Sequence, residues 1–200
     1  MPTHQLFAEP IYISKLHREL TPPELKTIHK FKTYDDMPTN KMTINNYVLN
    51  KNSLHSLKKD LYKKVTEYFE QIVCTSSSIT PYITQSWINY TATNKFHPPH
   101  AHQNSFISGI FYIDALKNVD RITFYKDTYR PLVLEIADPN IFNCQTWQLP
   151  VETGDVVLFP SHVVHGVEVK KGTNLRTSLS FNVFFKGTIG NNKNLTELTI

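Results

Sequence analysis

The sequence predicts a mainly β protein that has helices near its N-terminus and a double-stranded β-helix, or jelly roll, as its core. The first half of the chain contains an amphipathic helical pattern, whereas the second half consists of short β-branched and aromatic runs separated by Asn, Asp, Pro and Gly. All six glycines lie at or after Gly109, so tight turns are concentrated in the second half.

Two helices are expected in the first half. Pro22 and Pro23 precede a helical segment that ends at Lys32, and proline is tolerated in the first turn of a helix. From Ser53 onward, apolar residues recur at steps of three and four, which is the period of an amphipathic helix. The apolar residues are Leu54, Leu57, Leu61, Val65, Phe69 and Ile72. We expect this second helix to pack against a sheet.

Eight strands are expected in the second half. They are Trp87–Thr91, Phe106–Asp114, Arg121–Tyr125, Leu132–Ile136, Gln145–Leu149, Asp155–Phe159, Val163–Val169 and Leu175–Phe185. Eight short strands suit an antiparallel jelly roll. Their aromatic residues are expected to fill its core, namely Trp87, Phe106, Phe111, Phe124, Phe159 and Phe181.

The chain is expected to form one domain over residues 1–200, because 200 residues without a repeat or linker suit a single unit. Residues 1–82 would form an N-terminal helical support, residues 83–186 the jelly-roll core, and residues 187–200 a polar tail that is loosely held.

Composition excludes several classes of protein. The net charge of +4 is mild and no run of like charges forms a patch, so neither a nucleic acid nor a membrane surface is an expected partner. No segment approaches the ~20 apolar residues of a membrane span. Cys74 and Cys144 are expected to be free thiols, and the N-terminus lacks the pattern of a signal peptide. We therefore expect a cytoplasmic protein, in the host cytoplasm if the chain is viral.

Five of the nine histidines fall in two short clusters, residues 97–102 and 162–165. Because side chains alternate along a strand, His100 and His102 can face the same side, and His165 can approach them from a distant strand. Neutral imidazole suits iron, zinc, copper and nickel. Arg176 follows eleven residues after His165, and its planar guanidinium fits a carboxylate. The pattern predicts a metal site beside an anion site.

Ordered motifs over residues 83 to 185 resemble the small 2-oxoglutarate- and Fe(II)-dependent oxygenases of bacteria and their phages, which are similar to prolyl hydroxylases. The motifs are Ser86-Trp87-Ile88-Asn89, His100-Ala101-His102-Gln103-Asn104-Ser105, Ile107-Ser108-Gly109-Ile110-Phe111-Tyr112, Gly154-Asp155, Phe159-Pro160-Ser161, His165 and Arg176-Thr177-Ser178-Leu179-Ser180-Phe181-Asn182. Such enzymes bind the metal through an H-x-D or H-x-H pair and a distal histidine, with an arginine about ten residues beyond.

The resemblance implies a role for each candidate residue. His100, His102 and His165 would hold Fe(II), and Arg176 would bind the distal carboxylate of 2-oxoglutarate. Further contacts to this co-substrate would come from Ser178, Tyr112 and Tyr90, and Asn182 would lie on the same face near the metal. The cofactors would be Fe(II), 2-oxoglutarate as co-substrate and dioxygen.

Two alternatives concern the ligand set. The chain has His102 where related enzymes usually have a carboxylate, so its site would carry one more positive charge. In a rival register, His102 would be the first ligand and Asn104 a weak second one. His97 and His162 are expected to lie outside the ligand set, because three ligands already suffice for an oxygenase.

The resemblance implies an oxidoreductase that hydroxylates a C–H bond while it converts 2-oxoglutarate to succinate and carbon dioxide. A peptidyl residue such as proline is the expected substrate, entering over the segment Thr123–Asn143 with its aromatic residues and Arg130. The alternative is a cupin-like metal-binding module, such as a dioxygenase that does not use 2-oxoglutarate or a virion component. The pair Arg176 and Ser178 favours the oxygenase, since a plain metal module needs no carboxylate site.

Overall fold

The protein is described by a computed structural model that covers residues 6–34, 37–126, 132 and 134–200. The helices are α1 (Pro22–His29) and α2 (His55–Tyr68), and α2 continues into a π-helical turn at Phe69–Val73. The strands are β1 (Tyr12–Lys15), β2 (Thr33–Tyr34), β3 (Lys41–Thr43), β4 (Ile79–Thr91), β5 (His97–His100), β6 (Ile107–Asp114), β7 (Arg121–Tyr125), β8 (Thr146–Pro150), β9 (Asp155–Pro160), β10 (His165–Val167), β11 (Arg176–Ile189) and β12 (Leu198–Thr199).

These strands form two antiparallel sheets. The large sheet has the order β1-β9-β6-β11-β4-β3-β2, and β12 pairs with the end of β11. The small sheet has the order β5-β10-β7-β8. Strands that are consecutive in sequence alternate between the sheets from β4 to β7, and again from β8 to β11, as expected of a double-stranded β-helix. The fold class predicted from the sequence is therefore confirmed.

Two apolar clusters cover the two faces of the large sheet. The first cluster joins α2 to one face, where Leu57, Leu61 and Val65 are fully buried together with Leu179 and Phe181 of β11. The second cluster lies between the sheets and contains, among others, Ile110, Tyr112, Ile122, Phe124 and Phe159. Because β11 is buried on both faces, its alternate residues contribute to the helix-side core and to the interior of the jelly roll.

Gly109 shows how tightly the helix-side core is packed. A Cβ atom at this position of β6 would lie 2.2 Å from the ring of Phe181 on the neighbouring strand. Any side chain larger than hydrogen would displace that ring, which is itself fully buried. The glycine in this strand therefore serves close packing of an aromatic ring rather than a turn.

Both expected helices and seven of the eight expected strands are present, mostly with boundaries shifted by a few residues, but β4 begins at Ile79, eight residues before the expected start. The exception is Leu132–Ile136, where the described residues form no strand and Val133 lies outside the described part. The core prediction was wrong for two aromatics. Phe106 is 39% exposed although its ring contacts those of Phe69 and Phe185, and Trp87 is half-buried because it lines a cavity.

The N-terminal region contributes more than helices to the fold. β1 pairs with β9 at one edge of the large sheet, while β2 and β3 extend the opposite edge beyond β4. The segment after Gly187 turns back, so that β12 pairs with Thr188 and Ile189. Among the described residues, no helix has the length and apolar character needed to cross a membrane.

Candidate metal centre

Three histidines converge at one end of the jelly roll. His100 is the last residue of β5 and stands directly opposite His165, the first residue of β10, in an antiparallel pair. His102 follows two residues later, where its backbone N–H donates to the carbonyl of Ser161. The potential ligand atoms of these histidines all lie within 4.8 Å of one another. One ion could therefore contact all three side chains.

Hydrogen bonds at Nδ1 determine which ring nitrogen is free in each histidine. His100 Nδ1 is 2.9 Å from the carbonyl oxygen of Pro98, and His165 Nδ1 is 3.1 Å from that of Val163. Since a carbonyl oxygen can only accept, both Nδ1 atoms carry a proton, which leaves Nε2 with a lone pair. This is the usual arrangement of metal-binding histidines, whose second nitrogen donates to a neighbouring acceptor.

His102 has the same arrangement with side-chain partners. Its Nδ1 lies 2.7 Å from Oδ1 of Asn182 and 2.8 Å from Oγ of Ser108. The hydroxyl of Ser108 can donate its own proton to Ser161, which in turn donates to Ser105. Ser108 Oγ and Asn182 Oδ1 are therefore both able to accept a hydrogen bond from His102 Nδ1. The imidazole of His102 is thereby held with Nε2 directed towards His100, at 3.1 Å from His100 Nε2. Two lone pairs at this separation repel unless a cation lies between them.

Burial favours the neutral, metal-binding form of two of these imidazoles, His102 and His165. Burial, together with the neighbouring His100 and His102, lowers the pKa of His165 from 6.5 to about 3. Burial also lowers the pKa of His102, while its bond to Asn182 acts in the opposite direction. A proton therefore competes weakly with a metal ion at the nitrogens of His102 and His165 near neutral pH. The donor set and its protonation suit Fe(II).

Arg176 provides a buried cation in the same cavity. Its side chain donates weakly to the carbonyl of Arg121 at 3.2 Å and to Thr91 at 3.4 Å, while its Nε atom is buried without a partner. Among the described residues, no carboxylate forms an ion pair with it. A buried guanidinium without a counter-ion is costly, so the site is suited to an anionic ligand.

Two further predicted residues stand beside Arg176. Ser178 lies on the same face of β11, and Tyr112 of β6 is its direct neighbour across the strands. Burial raises the pKa of the Tyr112 hydroxyl to about 12, which keeps it protonated as a donor. A guanidinium and two hydroxyl groups together match the acceptor oxygens of a carboxylate.

The three histidines and Arg176 line one cavity. Its other lining residues are Asn40, Trp87, Asn89, His97, Ile110, Tyr112, Ile122, Gly166, Val167, Ser178 and Ser180. The cavity thus has a metal-binding group and an anion-binding group in one enclosure, with the aliphatic side chains of Ile110 and Ile122 in its wall.

Tyr90 and Asn182 do not line the cavity, and only Tyr90 lies away from the candidate metal site. Tyr90 is on the opposite face of β4 from Asn89, where its hydroxyl donates to the carbonyl of Ile28 on α1. This is a correction to the expectation, and it follows from strand alternation. Asn182 is near the candidate metal site as expected, but it contacts the imidazole of His102 instead of lining the cavity.

The other residues considered as metal ligands differ in their exposure to solvent. His162 is exposed and lies 3.3 Å from Glu9, whereas His97 lines the cavity mouth with its ring 4.3 Å from that of His100. Asn104 is exposed in a turn with a left-handed backbone and does not line the cavity. Of the expected entrance Thr123–Asn143, Tyr129 and Arg130 lie outside the described residues.

The sequence reasoning missed Asn40 and Trp87 as cavity residues. Trp87 is on the same face of β4 as Asn89, and its ring centroid is 5.5 Å from that of His102. Alternation along β4 could have indicated Trp87, because β4 pairs with β11 next to Arg176. Asn40 lies between β2 and β3, and no pattern in the sequence connects it to the histidines.

Comparison with protein families gives a match over the same region. A family model described as "Putative 2OG-Fe(II) oxygenase" matches residues 85–182, a segment that includes the three histidines and Arg176. Among curated protein sequences, none matches the chain at a significant level.

Solved structures share the fold at low sequence identity. An oxidoreductase of the 2OG-Fe(II) oxygenase family from Burkholderia pseudomallei has a TM-score of 0.58 at 13% identity, covering 86% of this chain and 83% of its own. HygX from Streptomyces hygroscopicus, with nickel, 2-oxoglutarate and hygromycin B bound, has a TM-score of 0.61 at 11% identity, covering 88% and 82%. A prolyl hydroxylase from Trichoplax adhaerens, in complex with a hypoxia inducible factor peptide fragment, has a TM-score of 0.58 at 12% identity, covering 87% and 83%.

Proposed function

We propose that this chain is a 2-oxoglutarate- and Fe(II)-dependent oxygenase and that it hydroxylates a residue of a peptide, such as proline. One observation supports the oxygenase site above all. A single cavity contains three imidazoles with their Nε2 lone pairs facing one another and a buried guanidinium without an acidic partner. A metal-binding module that does not use 2-oxoglutarate has no need of the buried guanidinium.

We assign the roles as follows. His100, His102 and His165 hold Fe(II), and Arg176 binds the distal carboxylate of 2-oxoglutarate with help from Tyr112 and Ser178. When bound, the metal and co-substrate supply the oxidising chemistry, in which dioxygen gives one oxygen atom to succinate and the other to the substrate's C–H bond, with release of carbon dioxide.

The protein's own residues position these groups and control protons. Asn182 and Ser108 hold the His102 ring in one tautomer, which fixes the direction of its lone pair. Tyr112 stays protonated over the physiological pH range and can donate throughout to a bound carboxylate. Ile110 and Ile122 reduce the access of water beside Arg176 and so strengthen its attraction for an anion.

A peptide substrate is supported by a stretch of exposed apolar residues and by the edge strand β8 of the small sheet. Several large apolar side chains are exposed in one stretch of the chain, namely Leu132, Leu134, Ile136, Ile141, Phe142 and Trp147. β8 is the outermost strand of that sheet and, in the described part of the chain, pairs only with β7. An extended peptide can use such an edge together with apolar contacts. The Trichoplax relative binds a peptide, whereas HygX has hygromycin B bound.

The test is a search for hydroxylated products. Short synthetic peptides, acetylated and amidated and differing in their central residue, are incubated with the enzyme, Fe(II), 2-oxoglutarate and ascorbate, in parallel with free amino acids. We expect a peptide whose mass rises by one oxygen atom, together with an equimolar amount of succinate. Hydroxylation of a free amino acid without any modified peptide would contradict the proposed substrate class, and failure to bind 2-oxoglutarate would contradict the enzyme assignment.

A further inference from the structure

Asn40 is a cavity residue that belongs neither to the metal-binding group nor to the carboxylate-binding group. It lies outside the family-matched region 85–182, in the segment between β2 and β3, and only 2% of its surface is exposed. It nevertheless lines the cavity that contains the three histidines and Arg176. The polar atoms of buried amides in proteins are paired with protein, with ordered water or with a ligand.

Hydrogen bonds fix the orientation of the Asn40 amide. Its Nδ2 atom donates to Oδ1 of Asn89 at 3.1 Å and lies 3.5 Å from the carbonyl oxygen of Lys41. A carbonyl oxygen cannot donate, so the contact with Lys41 identifies this atom as the nitrogen of the amide. Both N–H groups of Asn40 are thereby directed to protein acceptors. Its Oδ1 atom accepts no hydrogen bond from the described residues.

The Asn40 amide is rigidly connected to the strand that carries Arg176. Asn89 Nδ2 donates to Ser180 Oγ at 3.0 Å, and Ser180 shares a face of β11 with Arg176 and Ser178. On the other side, Lys95 Nζ donates to the carbonyl of Pro38 at 3.1 Å, which ties the segment before Asn40 to the turn before β5. Asn40 is therefore held in place before any ligand binds.

The Oδ1 atom of Asn40 can accept a hydrogen bond, and 2-oxoglutarate has no donor to offer it. Both carboxylates of 2-oxoglutarate are ionised near neutral pH, and its keto oxygen is also an acceptor. The guanidinium of Arg176 suits these acceptors, but Asn40 Oδ1 does not. When a ligand displaces water from this oxygen, the donor would therefore come from the other substrate.

We propose that Asn40 is a specificity-determining residue whose Oδ1 accepts a hydrogen bond from a backbone N–H of the peptide substrate. This inference rests on the proposed function, since a peptide offers an N–H next to the residue that is hydroxylated. An enzyme that recognises a buried N–H through a fixed acceptor discriminates strongly against a ligand that lacks this donor, because the acceptor is then left unpaired.

The experiment uses two minimal peptide probes, N-acetyl-L-proline N-methylamide and N-acetyl-L-proline N,N-dimethylamide. They differ at one amide nitrogen, where the dimethylamide has a methyl group in place of the N–H. Binding of each probe to the protein loaded with Mn(II) and N-oxalylglycine is measured by NMR titration. We expect the parent to bind the methylamide about fivefold more tightly than the dimethylamide. In Asn40→Ala this preference should disappear, while Mn(II) and N-oxalylglycine bind as in the parent.

Asn46→Ala is the matched control, because Asn46 is an exposed asparagine of the same region that does not line the cavity. It should retain the full preference for the methylamide. If Asn40→Ala does not fold, Asn40→Ser supplies the same comparison, with its folding checked by thermal unfolding.

Three outcomes would overturn the role of Asn40. They are equal affinity of the parent for the two probes, binding of neither probe by the parent, and a methylamide preference that persists in the Asn40 variants. Failure of the proposed function gives a different result, namely no hydroxylation of any synthetic peptide. A methylamide preference that depends on Asn40, without peptide hydroxylation, would leave the recognition site valid and refute only the substrate assignment.

Discussion

At the scale of single residues, the candidate site depends on which atoms have partners and which do not. The Nδ1 atoms of His100, His102 and His165 are all satisfied, so each ring turns its Nε2 lone pair towards the other two. Arg176 shows the opposite situation, because its charge is buried and its Nε atom has no partner. Unpaired acceptors predict a cation, and an unpaired guanidinium predicts an anion.

The histidine assignment predicts the effect of alanine substitutions on metal affinity. His100→Ala, His102→Ala and His165→Ala should each weaken Mn(II) binding by at least about 100-fold, because loss of a ligand exceeds the effect of losing a residue that only orients one. His162→Ala is the control, since His162 is exposed and should leave the affinity unchanged. Isothermal titration calorimetry measures the Mn(II) affinity of the ligand variants and of the control. If Asn104→Ala abolished binding and His102→Ala did not, the rival ligand register would be correct.

The Arg176 assignment predicts a loss of co-substrate affinity without a loss of metal. Arg176→Lys keeps the charge but removes the planar fork, so 2-oxoglutarate binding to the Mn(II)-loaded protein should weaken by about 1–3 kcal/mol. Arg121→Lys makes the same change on an exposed side chain of β7 and should have no effect. Equal 2-oxoglutarate affinity in Arg176→Lys and the parent would remove the anion site from the proposal.

At the scale of secondary-structure elements, the N-terminal helix is held by a buried carboxylate. Glu24, in the first turn of α1, is 1% exposed and accepts hydrogen bonds from the backbone N–H of Thr21 and from both Nη atoms of Arg18, at 2.8 to 2.9 Å. This joins a helix cap to an ion pair, since Arg18 also contacts Asp60 on α2. The contacts connect α1, α2 and the segment after β1.

Glu24 also predicts a pH dependence of stability. Burial alone would raise the pKa of Glu24, but the hydrogen bonds from Arg18 and Thr21 together lower it below its usual value of 4.5. A carboxyl group with a lowered pKa in the folded state stabilises the protein above its unfolded pKa, and this contribution disappears as the pH falls through the folded pKa. Glu24→Gln should therefore lower the free energy of unfolding by about 1–3 kcal/mol at neutral pH.

The difference between Glu24→Gln and the parent should narrow as the pH falls below 4.5, as measured by urea unfolding at a series of pH values. Glu19→Gln is the control, because Glu19 is exposed and its carboxylate has no partner among the described residues. A difference that stayed constant down to acidic pH would show that the charge of Glu24 is not what stabilises the helix.

At the scale of the whole molecule, the site connects the two sheets. His100 and His165 belong to the small sheet, whereas Arg176, Ser178 and Tyr112 belong to the large sheet. A metal ion with its co-substrate would therefore contact both layers at once. Binding that occurs only in the folded state raises stability by mass action.

Ligand addition should accordingly raise the unfolding temperature in a set order. Mn(II) with N-oxalylglycine, each at about 100 times its Kd, should raise the Tm by about 10–20 °C, and EDTA should reverse the change. N-oxalylglycine without metal should have a much smaller effect, since it would lose its contact with the ion. Differential scanning fluorimetry measures these shifts. An equal shift with and without metal would mean that the anion binds away from the histidines.

Much of the fold and part of the site could be predicted from sequence because strands have a fixed period. Alternation placed Arg176, Ser178 and Ser180 on one face of β11, and the same rule places Tyr90 and Asn89 on opposite faces of β4. The period alone does not state which face of β4 meets the cavity. The expectation for Tyr90 came from the resemblance, whereas the structure places its hydroxyl at the carbonyl of Ile28.

The sequence by itself determined the fold class, the histidine and arginine spacing, and the chemistry that these side chains can perform. Only the tertiary structure decided that His165 stands opposite His100, that Asn182 fixes the ring of His102, and that Asn40 enters the cavity from a segment far away in the chain. The physical reason is that local patterns set the direction of a side chain relative to its own strand. The register between strands is set by the packing of the two sheets and the helices against one another.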